Sequence, residues 1–244
     1  MKGLNHFVCI FKLQIIRGSG PFMFFVFIQA FMALGIVIGF TYMYATPDKT
    51  SILYLATGAP TFILIMTGLV LLPQQIGDSK IDGFMEFKRT WPVKRYLLLL
   101  ADTVIWLIIT VPALVISTLV AKAIFNPGYS FSLLVIPGFL LCALTSIGVG
   151  YGFSYLFSKD QGLMISQIVA FGSLMFSPLN FPIDRLAGWL QSVHRVLPIY
   201  SMAQVMRSSF AATTFAAEPW NYANLAIWCV LGYGGAMFIL NKKQ

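Results

Sequence analysis

Side chains that could carry out catalysis are few in this sequence and far apart. The chain has two histidines, His6 and His194, and three cysteines, too few and too scattered for a zinc cluster or a disulfide framework. The segment from Gly83 to Lys88 lacks the second glycine of a phosphate-binding loop. No serine adjoins a plausible base, and no apolar run carries paired acids. We therefore expect no catalytic site, no metal site and no cofactor in this chain.

Asp102 is the sole acidic side chain inside a long apolar run. An ionised carboxylate at the centre of a bilayer costs roughly 3 kcal/mol on insertion scales. Asp102 follows Lys94 and Arg95 by about two helical turns. Snorkelling or pairing with these basic residues would reduce the cost. We predict a structural ion pair rather than a proton relay.

The composition indicates an integral membrane protein. Hydrophobic residues make up 58% of the sequence, charged residues only 10%, and the mean hydropathy is +0.82. The net charge is +8, but the basic residues fall mostly in short loops and termini beside apolar runs. That distribution reflects membrane topology and argues against nucleic-acid binding. We predict an all-α integral membrane protein whose residues 1–244 form a single transmembrane domain.

Six apolar runs are candidate membrane spans, although the fifth is shorter than the roughly 20 residues that a bilayer requires. They cover residues 22–44, 52–72, 97–121, 131–157, 163–176 and 222–240. Residues 1–20 have apolar side chains at helical spacing with basic ones between them, which predicts an amphipathic helix in the interface plane. We expect residues 18–21, Gly-Ser-Gly-Pro, to end that helix. A cleaved signal peptide fits poorly because the first apolar run is too long.

The distribution of basic residues predicts the orientation. Six spans place both termini and the loop at residues 73–95 on one side, which then carries all but five of the 16 Lys and Arg residues. The five on the other side are Lys49, Lys122, Arg185, Arg195 and Arg207. Because basic residues are enriched in cytoplasmic loops, we predict a multi-pass plasma-membrane protein with both termini in the cytoplasm.

The loop at residues 73–95 is the most highly charged stretch of the chain. Its charged residues are Lys80, Lys88, Arg89, Lys94 and Arg95 with Asp78, Asp82 and Glu86. We expect a short helix from Gly83 to Thr90, capped by Asp82 and closed by Pro92. The apolar residues Phe84, Met85, Phe87 and Trp91 favour either docking into the groove of a partner or a position among the lipid headgroups.

The stretch after the fifth apolar run is irregular, with Pro178 and Pro182 close together. One helical face of the following segment is apolar and comprises Leu186, Trp189, Leu190, Val193 and Leu197. We predict an outer re-entrant helical hairpin over residues 177–200, with its apolar face toward the bundle and a turn near Pro198. An amphipathic helix on the outer surface is the alternative.

Two segments together resemble type-2 ABC exporter permeases. Gly83-Phe84-Met85-Glu86 … Pro92-Val93-Lys94-Arg95 is similar to that family's G-T-L-E … T-P-V-x-R loop. The outer segment resembles F-P-x-x-x-L-P-G-W-L … N-P-L-x-Y … R through Phe181-Pro182, Gly188-Trp189-Leu190, Pro198-Ile199-Tyr200 and Arg207. Both segments occur in the family's order and between the same spans. The chain differs from the pattern at Phe84, Lys88, Arg89, Asp102, Ala187 and Leu197.

The resemblance implies the membrane-spanning permease subunit of an ATP-driven exporter. By this resemblance, the loop at residues 73–95 would contain a coupling helix seated on a separate ATPase, which binds ATP and magnesium. Two permease chains, as a homodimer or a heterodimer, would assemble with two ATPase subunits. The implied ATPase contacts are Gly83, Phe84, Met85, Glu86, Phe87, Lys88, Pro92 and Arg95. The implied outer gate or exit comprises Phe181, Pro182, Trp189, Leu190 and Pro198.

Family members export drugs, antibiotics, lipids, peptides or polysaccharides. Short outer loops favour a small or amphipathic substrate here, such as a drug, antibiotic, lipid or peptide, and hence a role in multidrug or antibiotic resistance. A stand-alone channel or the substrate-binding subunit of an importer is the alternative. A channel would need polar rings, whereas the spans offer few polar residues beyond Thr103, Thr110 and Gln167.

Overall fold

The computed structural model describes residues 2–39, 42, 48–91 and 93–242. Its α-helices are α1 (Lys2–Leu34), α2 (Lys49–Met66), α3 (Leu72–Ile81), α4 (Phe84–Arg89), α5 (Arg95–Phe125), α6 (Val135–Leu156), α7 (Lys159–Phe176), α8 (Gly188–Val196), α9 (Pro198–Phe210) and α10 (Pro219–Lys242). The π-helical segment Gly35–Gly39 extends α1, Thr67–Leu71 joins α2 to α3, and a 3-10 turn at Ile183–Arg185 precedes α8. The prediction of an all-α fold is confirmed across the described residues.

Five helical stretches are long and apolar enough to cross a bilayer. They are Phe22–Gly39, Lys49–Ile81, Arg95–Phe125, Val135–Leu156 and Pro219–Lys242. These stretches match five of the six predicted runs, although most of residues 40–44 lie outside the described residues. The fifth run corresponds to α7, which begins with polar residues and is not among the five. A sixth span therefore stays a prediction.

The continuous helix Lys49–Ile81 lies at the centre of the molecule. Its most apolar stretch is entirely buried by the rest of the chain, and α1, α5, α6, α7 and α9 pack against it. Asp48 begins this helix by accepting a hydrogen bond from the Ser51 amide at 3.1 Å, a normal N-cap arrangement. A helix that is apolar on all sides suits either a protein core or a membrane span, and here neighbouring helices cover it.

Glycines permit two close contacts between helices. Gly68, in the π segment of the central helix, meets Gly150 of α6, and Gly148 of α6 meets Gly232 of α10. A side chain at Gly68, Gly150 or Gly232 would collide with the neighbouring backbone, and one at Gly148 would collide with the Tyr233 ring. Small residues allow helix backbones to approach closely in membranes. These contacts hold α6 between the central helix and α10.

A buried polar cluster joins the central helix to two others. The Gln29 amide of α1 donates a hydrogen bond to the Thr67 hydroxyl at 2.8 Å, and the Thr110 hydroxyl of α5 donates to the same oxygen at 3.3 Å. Thr67 donates in turn to the Ile63 carbonyl at 2.8 Å. All three of the joined polar side chains are buried. The cluster fixes α1 and α5 beside the π segment.

The predicted break at residues 18–21 is wrong, because α1 is helical without interruption from Lys2 to Leu34. Packing overrides the local preference of glycine and proline here. Just beyond the expected break, the Phe22 and Phe25 rings contact Trp106 of α5, with centroids 6.2 and 5.9 Å away. The interfacial position predicted for residues 1–20 remains untested.

We expect Gly232→Ala to destabilise the protein and Gly234→Ala to leave it unharmed. A methyl group at Gly232 would meet the Gly148 backbone, and overpacking of this kind costs roughly 1–3 kcal/mol. At Gly234 a methyl group has nothing within 4 Å, and alanine is favoured over glycine in helices by about 1 kcal/mol. Thermal unfolding of the two purified variants in detergent measures the difference. Equal unfolding midpoints would contradict the close contact between α6 and α10.

Candidate functional site

The charged loop is a helical corner at one end of the central helix. Residues 73–81 continue that helix as α3, and α4 follows after Asp82 and Gly83. Gly83 has a φ of 71°, in the left-handed region that glycine adopts without strain. The predicted cap is wrong: Asp82 ends α3, and Gly83 is the N-cap residue of α4 with no side-chain hydrogen bond. The chain reverses at the glycine rather than at the aspartate.

Aromatic side chains form the outer surface of α4. The rings of Phe84, Phe87 and Trp91 contact one another, with centroids 5.6–6.4 Å apart. Phe87 is 54% exposed, whereas Phe84 is half-buried. Met85 packs inward against a buried cluster of residues from α3, α5, α6 and α10. Of the three predicted apolar contacts, Phe87 is the most available to a partner, and Met85 holds α4 to the rest of the chain.

An ion pair attaches α4 to α5. The Lys88 ammonium lies 3.2 Å from the Asp102 carboxylate and 5.1 Å from the centroid of the Phe84 ring. The two charged side chains are 18% and 24% exposed, so water screens their attraction less than at an open surface. Asp102 thus forms an ion pair, but its partner is Lys88 of the loop and not Lys94 or Arg95.

Two further contacts attach the corner to α6 and α7. The Lys80 ammonium donates hydrogen bonds to the carbonyls of Ser154 and Phe157, at 2.5 and 3.1 Å, where α6 ends. The Lys159 ammonium, at the start of α7, lies 2.8 Å from the Asp78 carboxylate. Cations at a helix C-terminus and paired charges both stabilise such a junction. The corner is therefore fixed to three neighbouring helices.

The remaining predicted loop residues occupy different positions. Glu86 is exposed on α4. Arg95 begins α5 and lines a cavity beneath α4. Pro92 and the side chain of Arg89 lie outside the described residues. The structure thus brings Gly83 to Lys88 together on one short element and places Arg95 behind it.

At the other end of the bundle, Arg207 of α9 is almost completely buried. Its guanidinium donates a hydrogen bond to the Leu179 carbonyl at 2.9 Å and lies 4.1 Å from the centroid of the Tyr54 ring. Burial lowers the pKa of Arg207 to about 10, so this side chain stays charged at neutral pH. Phe181 and Pro182, two of the predicted gate residues, are half-buried in the segment that follows Leu179. Arg207 thereby anchors the start of the predicted outer hairpin.

Helix α8 presents its apolar side away from the rest of the chain. Trp189 is 72% exposed, and Val193 and Val196 are also exposed, whereas Leu190 is half-buried and His194 is buried. The expectation that Trp189 faces the bundle is therefore wrong for the single chain.

Helix α10 explains the orientation of α8. The Trp228 indole donates a hydrogen bond to the Val196 carbonyl at 3.0 Å, and the Trp220 indole donates to the Arg195 carbonyl at 3.3 Å. These bonds hold the last turn of α8 against α10. The next helix, α9, begins with Pro198, which is buried at the corner.

The comparison with known families covers both of these regions. A family model described as ABC-2 family transporter protein matches residues 36–241. The chain belongs to the ABC-2 transporter family. No curated protein matches it significantly in sequence. This ABC-2 protein is a multi-pass membrane component of a transporter, not itself catalytic, and its family implies an ABC ATPase partner.

The contacts that hold the corner of this ABC-2 permease in place are not evident from its sequence. In the sequence, Lys80 and Lys159 are only two of the basic residues that indicate topology. Gln14 of α1 lines the cavity beneath α4 and is likewise inconspicuous. A lone glutamine within an apolar helical pattern was the available signal. The carbonyl and carboxylate partners of the lysines lie too far along the chain for spacing to reveal them.

In this ABC-2 permease we expect Lys88→Gln to destabilise the attachment of α4. The change leaves Asp102 unpaired and partly buried, and should cost about 1–2 kcal/mol, below the 3–5 kcal/mol of a fully buried pair. Lys88→Asp combined with Asp102→Lys should recover most of that loss. Lys94→Gln removes an exposed charge near the Tyr96 ring and is the matched control. Unfolding midpoints of the purified variants test this. A double variant no more stable than either single one would show that attraction does not hold α4.

Proposed function

We propose that this chain is the permease subunit of an ATP-driven exporter and that α4 is the coupling helix seated on its ATPase. The observation that carries the proposal is the cluster of aromatic rings on α4, in which Phe87 is exposed. This helix of six residues lies between two candidate membrane spans. In a chain of the ABC-2 family, such a surface outside the membrane suits a groove on the ATPase. ATP and magnesium are bound by that partner.

The expected free energies of contact distinguish the roles of the α4 side chains. Burying an exposed phenylalanine contributes roughly 1.5–3 kcal/mol, so Phe87 supplies most of the contact and the half-buried Phe84 supplies less. An exposed ion pair of Glu86 would add only about 0–1 kcal/mol. The aromatic residues hold the ATPase in place, and Glu86 orients it.

The contacts of α4 with the bundle can transmit a movement of the ATPase to the membrane helices. Met85 packs into the bundle, and Lys88 pairs with Asp102 inside α5. A displacement of the ATPase groove therefore pulls on α5 directly. Because α3 continues the central helix, the same displacement also acts on the core of the permease.

The proposed topology has six spans with both termini in the cytoplasm. Helix α7 has 18 residues, which corresponds to about 27 Å and approaches the roughly 30 Å of a hydrocarbon core. Residues 177–200 then form the outer re-entrant hairpin. Its exposed Trp189 and its neighbours Leu190, Phe181, Pro182 and Pro198 form the exit gate, closed against a second permease chain. The cargo is a small or amphipathic compound, such as a drug, antibiotic, lipid or peptide.

Cysteine labelling in intact cells tests the orientation. In a variant without Cys9, Cys142 and Cys229, we expect an impermeant thiol reagent to label Arg195→Cys. The same reagent should label Ile81→Cys only after the membrane is opened. Both positions are exposed, so accessibility within the fold does not limit the reaction. Labelling of Ile81→Cys in intact cells would contradict the proposed orientation and indicate the opposite one.

Removing the aromatic surface of α4 tests the coupling role. We expect Phe84→Ala combined with Phe87→Ala to release a co-expressed ABC ATPase, or to uncouple its ATP hydrolysis from the cargo, while the permease inserts normally. Glu86→Gln should have a much smaller effect. Phe131→Ala removes a similarly exposed ring just beyond the far end of α5 and is the control. Wild-type capture of the ATPase and normal export by the double variant would refute the role.

A further inference from the structure

A cavity of about 280 Å³ lies beneath α4, on the loop side of the bundle. Residues from α1, α3, α4, α5, α6 and α10 line it, and aromatic rings form much of the wall. They include Phe22, Phe25, Phe84, Trp106 and Tyr151. Its size is close to the lower limit of roughly 300 Å³ for ligand pockets. The cavity lies within one chain and does not require a second permease.

An unpaired buried amide lines this cavity. Gln14 of α1 is 6% exposed, and neither its amide oxygen nor its amide nitrogen has a hydrogen-bond partner among the described residues. Buried polar groups in proteins are hydrogen-bonded in the great majority of cases. An amide that can both donate and accept, in the wall of a cavity, therefore indicates a ligand that carries polar groups of its own.

Charges of both signs surround the same space. Asp78 of α3, Asp82 at its C-terminal end and Asp102 of α5 line it together with the cations Lys88 and Arg95. Lys88 pairs with Asp102, Asp78 pairs with Lys159, and Arg95 forms no ion pair with a described carboxylate. Because carboxylates and a guanidinium share one lining, a zwitterionic group meets a charge of opposite sign for each of its ends.

An apolar groove adjoins this cavity along the membrane-facing side of α1 and α5. Its volume is about 220 Å³, and it is bounded by Ile15, Phe22, Met23, Val26, Ile105, Ile108, Ile109 and Pro112. Phe22 and Ile105 line both the groove and the cavity. Candidate membrane spans run through both helices, so the groove is at the depth of lipid acyl chains.

We propose that the cavity and the groove form one binding site for a phospholipid with a zwitterionic aminoalkyl phosphate headgroup. The phosphate is bound by the Arg95 guanidinium and the amide nitrogen of Gln14, and the ammonium group faces the carboxylates of α3. One acyl chain lies in the groove between α1 and α5. The site requires neither the ATPase nor a direction of transport, so it can fail while the proposed function stands.

Binding measurements on the purified full-length chain in dodecyl maltoside test this site. Native mass spectrometry is used with three probes: a lysophosphatidylethanolamine, a lysophosphatidylglycerol with the same acyl chain, and glycerophosphoethanolamine, which has the headgroup without a chain. We expect saturable binding of one lysophosphatidylethanolamine, about tenfold or more tighter than the lysophosphatidylglycerol. The headgroup alone should bind far more weakly. Equal binding of the two lysolipids, or of the headgroup alone, would overturn the proposal.

Matched variants locate the binding within the chain. Arg95→Gln should weaken lysophosphatidylethanolamine binding about tenfold, because it removes a charge-assisted contact, and Lys94→Gln should not. Ile108→Trp fills the groove and should weaken binding similarly, whereas Ile116→Trp, two helical turns further along α5, should not. If either test variant binds the lipid as its control does, the assignment is wrong.

Gln14→Leu gives an independent readout. It removes a buried amide that has no partner among the described residues, so it should raise the unfolding midpoint of the lipid-free chain while reducing the stabilisation by lysophosphatidylethanolamine. A residue with a purely structural role would not separate these two effects. Unchanged stabilisation by the lipid in this variant would exclude Gln14 from the site.

Discussion

The burial of residues 55–73, the apolar stretch of the central helix, is the constraint on which the rest of the structure depends. In hydrocarbon every backbone polar group must be paired inside the protein, and a helix pairs its own. This helix can therefore stand at the centre, provided that apolar helices cover every side of it. The close contact between Gly68 and Gly150 and the hydrogen bonds of Thr67 meet that requirement.

The burial of the central helix also determines the structure of the loop at residues 73–95. Because α3 continues the central helix, this charged loop begins as a rigid extension of the core and not as a flexible linker. Lys80, Lys88 and Lys159 then attach the corner to α6, α5 and α7. Each of these attachments pairs a charge with a neighbour at the membrane boundary, where its cost is lower than in the hydrocarbon centre. The corner is therefore rigidly connected to the helix bundle.

Long apolar runs made the membrane helices predictable from the sequence. The tertiary partners of individual side chains could not be predicted in this way. Five spans followed directly from hydropathy, and the charged loop and the family followed from local motifs. The break expected before Phe22 failed because packing on Trp106 of α5 outweighed local preference. The partner of Asp102 could not be inferred, since Lys88 reaches it only after the chain reverses at Gly83. The spacing on α8 identified its apolar face but not which side of the chain that face would occupy.

The pairing of Lys88 with Asp102 has a consequence for how such permeases can be recombined. One charge belongs to α4 and the other to the following membrane helix, so the two segments form a single unit of exchange. A chimera that receives only the corner of a relative inherits an unmatched charge at the membrane boundary. A transplant that extends from Gly83 through Asp102 carries the pair intact. A module that exchanges the proposed coupling helix therefore crosses the boundary between loop and membrane.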